Sequence, residues 1–125
     1  MKYKLTERRN PQNPQAASKL YAAPVNEGKV SQREIAADIV GLSSLARGDV
    51  ANVIDCLIDT VPKYLLMGKS VSLGELGTLR ISFSSEGVDN AADFNTSMIT
   101  GVRMLLTPSP ELRRAIETIR FEKGE

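Results

Sequence analysis

The chain has 125 residues, 42% of them hydrophobic and 25% charged, with a formal charge of +1, which fits one ordinary soluble domain able to bury a core. It contains no histidine, so imidazole metal sites, Ser/His/Asp triads and histidine acid-base chemistry are excluded. Its single cysteine, Cys56, excludes an intramolecular disulfide and a cysteine zinc site within one chain, and fits a reducing compartment.

Residues 1–33 hold seven basic groups and two acidic ones, a local charge of +5, so the remaining 92 residues carry −4. A basic amino-terminal stretch on a mildly acidic body suits contact with a polyanion, and more often marks a solvated tail. Within it, alternating Tyr3 and Leu5 predict a strand over Lys2–Thr6, and Lys19–Ala23 predicts a second, stopped by Pro24. Between them, Arg9-Asn10-Pro11-Gln12-Asn13-Pro14 reads as an irregular turn, because each proline fixes φ and moves the preceding Asn out of helical conformation. There is no apolar run suited to a signal peptide or a membrane span, and the expectation is a cytoplasmic protein.

Ser31-Gln32-Arg33-Glu34 has capping-box spacing and opens a helix expected over 32–40, with Ile35, Ala36 and Ile39 on one face and Gly41 as its stop. Val50, Val53, Ile54, Leu57, Ile58 and Val61 form a wide apolar stripe on a second helix over 47–67, which Pro62 should bend or break. The period then becomes two. Strands are expected over 70–73 and 78–84, joined by a Gly74-Glu75-Leu76-Gly77 turn, as a hairpin with one buried face. A polar, flexible or protruding arm over 84–101 follows, then a return strand over 102–106 and a helix over 110–120 opened by Ser109-Pro110-Glu111.

At this point the residues resemble a known family. Gly41-Leu42-Ser43, the long helix ending Asp59-Thr60-Val61, and the string Gly68-Lys69-Ser70-Val71-Ser72-Leu73-Gly74-Glu75-Leu76-Gly77-Thr78-Leu79 are similar to the helix-helix-hairpin core of the HU/IHF histone-like DNA-binding proteins. Asn10-Pro11, Leu20-Tyr21-Ala22 and Gly28-Lys29-Val30 also look like the extended HU-related proteins of Bacteroides-type bacteria. The resemblance implies an α+β, HU/IHF-like fold: a helical base, a β-hairpin in a three-stranded sheet with a protruding arm, and an amino-terminal β extension over 1–30 on or beside a core over 31–125. It implies a non-enzymatic, nucleoid-associated homodimer that clasps double-stranded DNA in the minor groove and bends it, without cofactor, metal or small-molecule substrate.

The chain departs from that pattern in the arm. Residues 80–103 hold two basic and three acidic groups and no proline, so this segment is not drawn to phosphate. The Arg-Asn-Pro tip of family arms is absent there, whereas Arg9-Asn10-Pro11 reproduces it in the basic extension. The candidate DNA contacts are therefore Arg8, Arg9 and Pro11, with Lys69, Arg80, Arg103, Arg113 and Arg114. Lys69 also suits the negative end of the long helix, and Arg113 and Arg114 suit a solvated face. Cys56 reads as a small buried apolar residue, Asp55 and Asp59 as a solvated face, and Gly74 and Gly77 as hairpin turn residues rather than a phosphate loop. A dimeric structural or protein-interaction module on the same scaffold, with weak or lost DNA binding, is the alternative function.

Overall fold

The computed structural model describes residues 1–124, which form two three-stranded sheets and three α-helices. The first sheet begins with β1 (Lys2–Arg8) and β2 (Lys19–Pro24), antiparallel with Tyr3 opposite Pro24 and Arg8 opposite Lys19. The ladder therefore runs past the expected ends of both strands. Pro24 is tolerated because it closes the strand, and the next amide, Val25, donates to the Lys2 carbonyl at 2.9 Å.

Ser31 caps α1 (Gln32–Leu42) through the expected capping box: the Glu34 amide donates to Ser31 Oγ at 3.2 Å, and the Ser31 amide donates to the Glu34 carboxylate at 2.8 Å. Gly41 does not stop this helix but lies within it, and the chain leaves helical conformation at Ser43, whose hydroxyl accepts from the Leu45 amide. A serine side chain that satisfies a nearby amide replaces the left-handed glycine stop.

α2 (Arg47–Leu65) runs unbroken through Pro62. The proline removes one amide, but the carbonyl left without it belongs to Ile58, on a solvent-facing part of the helix where water can replace the bond. Residues 66–68 are a tightening turn rather than helix. Gly68 adopts φ +79°, its amide donates to Leu65 at 3.0 Å, and the Lys69 amide reaches back to Tyr64 at 3.2 Å, the pair of bonds of a Schellman closure.

The second sheet is ordered β3 (Val71–Ser72), β4 (Thr78–Ser85), β5 (Ile99–Thr107), antiparallel throughout. β3 is shorter than expected because the chain turns into a 3-10 turn at Gly74–Leu76. β5 starts earlier than expected because the register shifts between Ser82 and Ser84, with Gly101 at φ +63°, and the ladder then continues to Ser85 opposite Ile99. The connection is correspondingly shorter than the expected arm. It contains two short 3-10 turns, Ala91–Asp93 and Thr96–Met98, the second capped by Asn95 Oδ1 accepting from the Ser97 amide at 2.9 Å.

Ser109 caps α3 (Pro110–Glu117), which ends three residues early, where the Thr118 hydroxyl donates to the Ala115 carbonyl at 2.7 Å. β6 (Glu122–Lys123) then pairs in parallel with Lys2 and Tyr3 of β1, so the amino-terminal sheet takes its third strand from the opposite end of the chain. Two charged residues carry no sequence signal for a strand.

The chain buries little by itself. Among the described residues only Ala36, Val50 and Leu65 are buried hydrophobic residues, on α1 and at the two ends of α2. The apolar stripe of α2 divides: Val50, Ile54, Val61 and Leu65 face covered ground, while Val53, Leu57 and Ile58 are 54%, 45% and 56% exposed. The hairpin has no buried face within the chain either, since Ile81, Phe83, Val102, Met104 and Leu106 are all exposed.

Candidate nucleic-acid interface

Strand alternation sorts the amino-terminal ribbon into two chemically different faces. Lys2, Lys4, Thr6 and Arg8 of β1 share one face with Lys19, Tyr21 and Ala23 of β2, while Tyr3, Leu5 and Glu7 share the other with Leu20, Ala22 and Pro24. Four cations therefore lie on one side, with a tyrosine between them. Among the described residues one ion pair forms, Lys2 to Glu27 at 3.4 Å, so Lys4, Arg8 and Lys19 have no carboxylate within salt-bridge distance.

The basic face leads to the ribbon tip. Asn10 organises that loop: its side-chain oxygen accepts from the Gln12 amide at 3.0 Å and its carbonyl accepts from the Asn13 amide at 3.1 Å. The Ser18 hydroxyl donates to the Glu7 carboxylate, tying the nearest acid to the opposite face. Around the tip, Arg8, Arg9, Asn10, Pro11, Lys19 and Tyr21 line a hollow of about 400 Å³. It offers cationic and amide donors beside an aromatic ring and a proline, a donor set suited to phosphate and sugar oxygens.

The other candidates fall into separate groups. Lys69 and Arg80 line one hollow of about 530 Å³ with Leu65, Leu66, Phe83 and Val102, between the end of α2 and the second sheet. Lys69 and Lys63 also flank the Tyr64 ring, at 5.9 and 5.4 Å from its centroid. The register puts Arg103 opposite Ser82, hence on the same sheet face as Arg80. Arg113 and Arg114 are exposed on α3, where Arg114 Nε donates to the Pro110 carbonyl at 3.3 Å.

Four residues outside the sequence-derived set join these groups: Lys2, Lys4, Lys19 and Lys63. Lys19 is recognisable only through the hairpin register that sets it opposite Arg8. Cys56 is exposed rather than buried, because it lies on a side of α2 that no other element covers, and its thiol donates to Asn52 at 3.9 Å. Asp55 and Asp59 are exposed, and no group of three or more potential metal ligands occurs among the described residues. Nor is any helix among them long and apolar enough to cross a membrane.

No curated protein matches the chain. Among solved structures, it superimposes on a protein of Bacteroides vulgatus ATCC 8482, described provisionally as a bacterial DNA-binding protein, with a TM-score of 0.60 and 18% identity. The match covers 97% of this chain and 47% of that one, so this chain spans about half the length of its structural neighbour. The family model of HU-HIG, an HU domain fused to a wHTH, Ig or glycine-rich motif, matches residues 1–123. With nearly its whole length matched and its mixed helix-and-sheet fold in agreement, the chain belongs to the HU-HIG family.

Proposed function

We propose that the protein is a non-enzymatic, HU-like architectural protein that binds double-stranded DNA as a homodimer, with little sequence preference, at the nucleoid in the cytoplasm. The observation that carries this reading is the basic face of the amino-terminal ribbon, where Lys4, Arg8 and Lys19 stand together with only Lys2 tied to an acid. A cationic two-stranded ribbon ending in a hollow of arginines, lysine and proline supplies phosphate contacts without a pattern of donors that reads bases. The likeness to a Bacteroides protein described as DNA-binding adds to it.

In this reading Arg8, Arg9 and Pro11 lead, with Lys19 beside them. Lys69, Arg80, Arg103, Arg113 and Arg114 contribute secondary phosphate contacts, and the extension over 1–30 works as a DNA-contacting unit beside the core over 31–125. The acidic connection between β4 and β5 stays off the duplex.

Homodimer formation is supported by the uncovered halves of α2 and of the second sheet, since an apolar surface of that extent calls for a partner. Binding measured by fluorescence anisotropy on a generic duplex should weaken steeply with salt. Arg8→Ala combined with Arg9→Ala should flatten the log-log salt slope by about 1.8 and lower affinity at every salt concentration. Binding indifferent to salt and to both substitutions overturns the assignment.

A second reading keeps the dimer and gives up strong DNA binding, leaving a structural or protein-interaction module. It is favoured by the composition of residues 80–103, with two basic groups, three acidic groups and no proline. Absence of any shift of a long duplex at low salt and high protein concentration decides for it.

A further inference from the structure

The face of the amino-terminal ribbon opposite the cations is apolar and uncovered. Leu5 is 47% and Leu20 65% exposed, and among the described residues no helix packs extensively on this sheet. At the β6 edge, Phe121 is 66% exposed, and it lines a hollow of about 480 Å³ with Met1, Tyr3, Ala22 and Pro24. A small three-stranded sheet with one solvated basic face leaves its apolar face free to dock on a partner.

We propose that this face is a self-association surface, on which a second copy of the chain docks the same face in antiparallel orientation. The pattern of the face selects that occupant. Its charged groups sit at opposite ends: Glu7 lies opposite Leu20 at the tip end, while Lys123 is paired with Tyr3 at the other. Rotation about a two-fold axis perpendicular to the strands brings Glu7 of each copy level with Lys123 of the other. Leu5 meets Leu5, and Leu20 meets Pro24 and enters the hollow beside Tyr3 and Ala22. Rotation about an axis along the strands would instead set acid against acid and leave both hollows unfilled. The arrangement is isologous and closed, with apolar side chains inside and both charge pairs at the rim.

This packing turns the two basic faces away from each other. Resting on the reading of those faces as DNA-binding, a ribbon pair would hold two duplexes on opposite sides, which makes the assembly a bridge between DNA segments. The ribbon face is separate from the apolar surface of α2 and the second sheet, so each chain carries two self-association surfaces.

Sedimentation velocity on the full chain tests the proposal. Leu5→Asp with Leu20→Asp, both at exposed positions, should at least halve the mass of the assembly while leaving the far-ultraviolet circular dichroism unchanged. Lys123→Glu should weaken the same association about fivefold at low salt, and Glu7→Lys added to it should restore it. An unchanged mass in the aspartate variant, or no rescue by the double charge exchange, overturns the ribbon pairing. Capture of a labelled duplex by an immobilised one then reads the bridge: the wild type should capture, and the aspartate variant should bind a single duplex without capturing a second. Halved mass without any duplex binding would retain the ribbon pairing and remove the DNA-binding reading instead.

Discussion

Gly77 is the residue at which the backbone leaves least choice. It lies at φ +137°, and a Cβ there would collide with the Thr107 carbonyl oxygen and approach Pro108 Cα to 3.0 Å. Because both obstacles are backbone, neither can rotate away. Gly77→Ala should cost about 2–4 kcal/mol, from strained φ and steric overlap together. Gly101 offers the contrast: its φ is +63°, but a Cβ would meet only Ser84 side-chain atoms at 3.6 and 3.8 Å. Gly101→Ala should cost about 1 kcal/mol, the conformational term alone. Thermal unfolding followed by circular dichroism should therefore show a drop several-fold larger for Gly77→Ala. Both glycines are visible in the sequence, but only the pairing of β4 with β5 tells which of them lies against a neighbouring strand.

At the level of the elements, caps and periods were legible and ends were not. The capping box at Ser31, the Ser109-Pro110 start and the stripe of α2 are local features, and each appears where local energetics demand it. The helix ends were misplaced by local side-chain bonds at Ser43 and Thr118, and two strand ends by partners distant in sequence. β6 forms because two residues near the carboxy terminus meet β1, and the early start of β5 depends on a bulge opposite Phe83. Pro62 is the instructive case, since its intrinsic cost is real but the missing bond falls on a wet side of the helix. Pro62→Ala should stabilise the chain by about 1–2 kcal/mol, the helix-propensity gain reduced by the unfolded-state entropy that proline had removed. A rise in the urea midpoint at constant m-value checks it.

The whole molecule exposes 10565 Å² at a mass of 13.6 kDa, where a compact monomer of that size exposes about 6,600 Å². The excess arises from an open ribbon, an uncovered sheet face and half of a helix stripe. An isolated chain of this shape has little to hold it folded, so folding and association should be coupled. The unfolding midpoint should then rise with protein concentration, as for an obligate dimer. Leu57→Asp with Ile58→Asp should abolish that dependence and leave a largely unfolded monomer, read by sedimentation and circular dichroism. A midpoint independent of concentration in the wild type would contradict the coupling.

The sequence by itself determined the class of fold, the amino-terminal caps at Ser31 and Ser109, the glycine-rich hairpin string and the concentration of positive charge before residue 34, because these depend on neighbours within a few positions. The pairing of β1 with β2 decided which cations stand together: alternation places Lys19 with Arg8, and places Glu7 with Leu20 on the other side. The width of the α2 stripe already implies more apolar surface than one small sheet can cover, and the tertiary structure decides which part stays open: Val53, Leu57 and Ile58. A count of hydrophobic residues says how much surface wants burial, but only the packed chain shows how much of it remains for another molecule.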